Sequence, residues 1–150
     1  MKKILFFILF TYSFISLGQS KIINEVKLSF SEFSSSYKQS KKIKCQSIQS
    51  TLLYKNPELY SYILGNNTHK EFQTFKYKGK KGSILYFEFD QETENGVVFL
   101  ENLLWGGNKP NKSHPEIIFT KDNVLIILSF PFKSRISNEL NEVFLNIVKD

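Results

Sequence analysis

Between Ser83 and Asp90 the chain alternates: Leu85, Phe87 and Phe89 point one way, Tyr86 and Glu88 the other. A period of two belongs to a β-strand with one buried face and one partly wet face, as an antiparallel sheet allows. This strand sits inside a stretch, Lys76 to Lys149, that reads as strand pair, helix, strand pair, helix and holds nearly all of the core-forming signal. Its partner is Glu71 to Lys78, with Gly79-Lys80-Lys81-Gly82 as the turn by composition. A helix follows, with Val97, Leu100 and Leu104 on one face and Gly106-Gly107 ending it. A second hairpin joins Ile117–Thr120 to Val124–Phe130 through Lys121-Asp122-Asn123. Val124 to Leu128 is continuously apolar, the mark of a strand that is central or covered on both faces. Ile136, Leu140, Val143, Phe144 and Ile147 then form one helical stripe, with Asn and Glu outside, and Ser134 or Ser137 as the cap. Such a helix needs a sheet to lie on.

The first half is less regular. Lys2 and Lys3, an apolar run from Ile4 to Leu17, and Ser16 and Gly18 at −3 and −1 compose a signal peptide, residues 1–18, cut before Gln19. The apolar run is short for a membrane span and carries Thr11, Tyr12, Ser13 and Ser16. Val26, Phe30, Phe33 and Tyr37 predict a helix over 22–37. Residues 38–44 read as a basic connection and 43–53 as a second helix. Asn56-Pro57 starts a third, short helix from Glu58 to Leu64, with Asn56 as cap, and Gly65 stops it. The expectation is one exported α+β domain, residues 19–150. It has a mostly antiparallel sheet of at least four strands (a ββ-α-ββ-α core) with helices packed on one face, preceded by N-terminal helices.

With 15 Phe and 7 Tyr, the composition supplies a core and argues against disorder. There is a single cysteine, Cys45, so no internal disulfide supports the fold. The formal charge of +6 falls to 6 − 2 = +4 without Lys2 and Lys3. That is low for nucleic-acid binding, and export separates the protein from most nucleic acid. After signal cleavage no integral membrane span is expected, and the destination is the periplasm or the extracellular medium.

The chemical motifs are thin. Asp90, Glu92, Glu94 and Glu101 stand at positions 1, 3, 5 and 12 of a calcium loop, but Asn95 occupies position 6, where the turn needs Gly. Cys45, His69 and His114 are the scattered candidates for zinc or for a Cys–His nucleophile pair, and neither spacing supports those uses. No nucleophile elbow, phosphate-cradling loop or dinucleotide fingerprint is present. No cofactor or metal is expected. The least ordinary segment is the loop from Trp105 to Glu116. There Trp105 is either an apolar anchor, with Lys109, Lys112 and His114 as its polar rim, or an inward-packed structural residue. The expected function is a non-enzymatic binding domain acting through a protein partner, of the envelope-accessory or inhibitor/immunity type. The alternatives are a small-molecule or lipid binder with an aromatic pocket, and a small hydrolase using Cys45 or His114.

Overall fold

The computed structural model describes residues 21–33, 42–132 and 135–149. The proposed signal peptide, most of the basic 38–44 connection, Tyr37 and Ser134 lie outside the described residues. The elements are α1 (Lys21–Phe33), α2 (Ile48–Lys55), a 3-10 turn (Pro57–Tyr60), α3 (Ser61–Leu64), β1 (Asn67–Tyr77), β2 (Lys80–Phe89), α4 (Glu94–Trp105), β3 (Ile117–Lys121), β4 (Val124–Ser129) and α5 (Arg135–Lys149). The strands form one antiparallel sheet in the order β1-β2-β4-β3. It is an α+β fold in a single domain.

The sheet is covered on both faces, not one. Phe75, Ile84, Tyr86, Ile126 and Leu128 face α1 and α5, which bring Ile23, Val26, Phe30, Leu140, Phe144 and Val148. The alternate residues Leu85, Phe87, Phe89, Leu125 and Ile127 face the other layer, which brings Leu53, Leu64, Val97, Leu100 and Trp105. Two covered faces explain why β4 is buried at every residue. The same geometry buries Tyr86, whose hydroxyl donates to Gln73. An alternating strand can therefore be dry on both sides when its outward aromatic finds a polar partner.

Local chemistry moves several boundaries. The first hairpin turns on two residues, Lys78 (φ 44°) and Gly79 (φ 80°), the left-handed pair that a tight hairpin needs. Lys80, Lys81 and Gly82 are therefore strand, not turn. Gly82 is required by packing: a Cβ there would come within 2.5 Å of the Phe75 ring and 2.9 Å of Phe130. Residues 43–47 are not helical. Ser47 caps α2 instead, its side chain accepting from Ser50 N at 3.2 Å. Asn56 does not cap with its side chain, and the segment it opens is a 3-10 turn followed by one turn of α3. Ser137 lies inside α5 rather than ahead of it. At the end of α4, Gly106 takes the left-handed conformation (φ 69°). Its N–H donates to Asn102 O, and Gly107 N–H donates to Glu101 O, so the helix stops in the αL manner, with the 5→1 bond from Gly106.

Candidate functional site

The two layers differ in their outer surfaces. Among the described residues, large apolar side chains left exposed gather on the α2–α4 layer: Ile48 and Leu52 on α2, Leu59 and Tyr62 on the 3-10 turn and α3, and Val98, Phe99 and Leu103 on α4. Elsewhere only Leu28 and Phe132 join them. α3 and α4 meet closely. A Cβ on Gly96 would collide with the carbonyl oxygen of Ile63, so only glycine permits this approach. Phe99 (58% exposed) and Leu103 (60%) follow Gly96 at i+3 and i+7, on the same helical stripe. Tyr62, fully exposed at 100%, precedes the Ile63 contact. From Gly82 to Asn108 the chain carries Glu88, Asp90, Glu92, Glu94 and Glu101 and no lysine or arginine. The charged residues of α4 itself are Glu94 and Glu101, both acidic.

Beneath this layer lies a buried polar cluster. Ser83 and Ser129 are register partners on the face toward α2 and α4. Their short hydroxyls let residues 44–47 cross the sheet. Lys44 N–H donates to Ser83 Oγ (3.2 Å), Ser83 Oγ donates to Lys44 O (2.8 Å), and Gln46 N–H donates to Ser129 Oγ (2.7 Å). Glu116 closes the cluster. Its Oε1 accepts from Ser47 N–H at 3.0 Å and from Ser129 Oγ at 3.1 Å. This is why 43–47 is extended: its amides are held by serines from strands distant in sequence.

Cys45 lies in this crossing segment, half-buried. Burial pushes its thiol up to about 11, the Glu116 carboxylate adds to the rise, and a hydrogen bond with Thr51 opposes it. At pH 7 only about one thiol in ten thousand is then the reactive thiolate. Among the described residues no hydrogen bond joins Cys45 to a histidine. His69 pairs with Glu88 at the far end of β2 from Ser83, five residues or about 17 Å along the strand. Asp90 is committed to Asn66, accepting from its backbone and side-chain N–H groups at 2.7 Å each, which holds its carboxyl below the usual range. No three His, Cys, Asp or Glu side chains among the described residues come together as a metal site requires.

The 105–116 loop divides. Trp105 takes the inward of its two expected placements, at 6% exposed, with its indole N–H toward Ser47 Oγ at 3.5 Å. Lys109 and Lys112 are exposed, and His114 is half-buried. Asn111 Oδ1 shapes the loop by accepting from the N–H groups of Ser113 and His114. Trp105, Lys109, His114 and Glu116 line one notch together with Glu101; Lys112 does not line it. Glu116 and the apolar stripe of α4 are the residues that sequence reasoning passed over. The signal for the stripe was present: Val97-Val98-Phe99-Leu100 and Leu103-Leu104-Trp105 carry more apolar residues than one buried face of a helix needs. Compared with family models, curated proteins and solved structures, the chain has no significant match.

Proposed function

We propose that this chain is an exported, non-enzymatic binding domain that acts through a protein partner, and that the partner seats on the outer face of the α2–α4 layer. The observation that carries this reading is the gathering of exposed Tyr62, Val98, Phe99 and Leu103 on one layer. Single exposed apolar residues are ordinary, but a concentration on one side marks an interaction surface. Aromatic residues at the centre of such a surface supply most of its binding energy. The loop that follows α4 supplies the polar rim, with Lys109 and Lys112 exposed on it. Glu94 and Glu101 on α4 suit a protein surface that carries basic groups. No helix among the described residues is long and apolar enough to cross a membrane.

The hydrolase alternative is weakened by the raised Cys45 thiol. The test is affinity capture of the chain from Gln19 onward from its own cell envelope and medium, beside a Phe99→Ser/Leu103→Ser variant. A stoichiometric partner held by the first and lost by the second supports the reading. Equal capture by both sinks this placement of the surface.

A further inference from the structure

We infer that the notch between the last turn of α4 and the 106–116 loop binds a primary ammonium group, and, resting on the partner reading above, that this group is the side-chain end of a lysine on the partner.

Glu116 is only 6% exposed, and the two bonds to its Oε1 come from Ser47 and Ser129. Its other oxygen, Oε2, is buried and has no hydrogen-bond partner; the same holds for Nδ1 of His114. Both side chains line the notch. A carboxylate oxygen accepts, and so does Nδ1 in the tautomer that carries the ring proton on Nε2. With Nδ1 in that form, two unpaired acceptors lie on residues that line one small space, and an ammonium, with three N–H donors and no acceptor, is the group that complements them. A second carboxyl, that of Glu101, lies on the same wall, and desolvation already pushes it up, so a cation beside it relieves a standing cost. Trp105 supplies an aromatic wall suited to a cation. The space measures about 10 Å³, room for one water-sized group. An ammonium is of that size and a planar guanidinium is larger, so the notch favours lysine over arginine. Among the described residues the rim bears Lys109, the internal competitor for the space.

Methylammonium is the direct probe. The purified protein is titrated with methylammonium chloride, and with sodium chloride at matched ionic strength, while NMR follows the Trp105 indole N–H and the His114 ring. The expected result is a saturable shift of both signals with methylammonium and none with sodium. An Nα-acetyl-lysine amide should bind at least as well if a side chain is the natural occupant; weaker binding than methylammonium assigns the notch to free small amines and overturns the lysine assignment. Glu116→Gln keeps an acceptor for Ser47 and Ser129 but removes the charge, and it should weaken binding roughly tenfold. Should that variant not fold, Glu101→Gln at the rim should weaken binding in the same direction. No saturable shift, or equal shifts in the wild type and the variants, overturns the inference. So does a crystal structure grown with methylammonium in which a water or Lys109 Nζ fills the notch. The probe needs no partner: if it fails while Phe99→Ser/Leu103→Ser still abolishes capture, the notch is wrong and the docking surface stands.

Discussion

The two sides of the sheet solve the same burial problem in opposite ways. On the α1/α5 side, amphipathic helices lay one stripe on the sheet. Leu140, Phe144 and Val148 are buried, while Asn138, Glu139, Glu142 and Asn146 face out. On the α2–α4 side the interior holds Ser47, Ser50, Ser83, Ser129 and Glu116, and the exterior holds Phe99, Leu103 and Tyr62. Folding accounts for most of the first arrangement, where Gln73 is buried against the Tyr86 hydroxyl and Leu28 is left exposed. In the second, the buried serines and Glu116 hold residues 44–47, but folding does not account for the apolar side chains left wet outside. A function is most economically sought on the side that folding leaves unexplained.

The contrast can be broken from its strongest side first. Phe144→Ala empties a fully buried ring site on the α1/α5 face and should cost about 3–5 kcal/mol, measured by urea unfolding. A loss under about 1 kcal/mol would mean that this face is not the main core. Gly96→Ala places a methyl against the Ile63 carbonyl. It should cost about 1–3 kcal/mol by the same measurement and disturb the Tyr62–Phe99 surface as α3 and α4 part. Glu116→Ala strands Ser47 N–H and Ser129 Oγ and should also cost about 1–3 kcal/mol. Glu116→Gln should cost less, because it keeps an acceptor at Oε1.

Cys45 sharpens the comparison through pH. Its folded value of about 11 lies above the ordinary 9.0, so the folded state holds the proton longer than the unfolded chain does. Below pH 9 both states are protonated and the thiol adds no slope. Between 9 and 11 the unfolded state binds fewer protons, and stability falls as pH rises. Urea unfolding of the wild type against Cys45→Ala across this window should show a steeper decline in the wild type. Parallel curves would place the thiol in water.

How much could be read in advance follows from how local each signal is. The α5 stripe and the antiparallel hairpins are written in neighbouring residues, and all of them form. Residues 43–47 read as helix because apolar spacing is local, whereas the hydroxyls that hold them extended come from Ser83 and Ser129. Gly82 read as a turn residue because glycine so often is one; its reason is the room taken by Phe75 and Phe130. The second covered face was hinted at by the unbroken Val124–Leu128 run and hidden by Glu88. Within the site, Trp105, Lys109 and His114 were visible as an unusual loop. Glu116 was not, because its importance lies in what it meets across the sheet.

The central claim is that the α2–α4 exterior, and not exposed apolar surface in general, is the docking face. Leu28 on α1 is 67% exposed, as apolar as Leu103, and lies on the opposite side of the sheet. Substituting either by serine should leave stability within about 0.5 kcal/mol. The decisive measurement is quantitative capture with three proteins: wild type, Leu28→Ser, and Phe99→Ser/Leu103→Ser. The wild type and Leu28→Ser should retain the same partner in near-equal amounts while the double variant loses it. Loss with Leu28→Ser and retention with the double variant would contradict it.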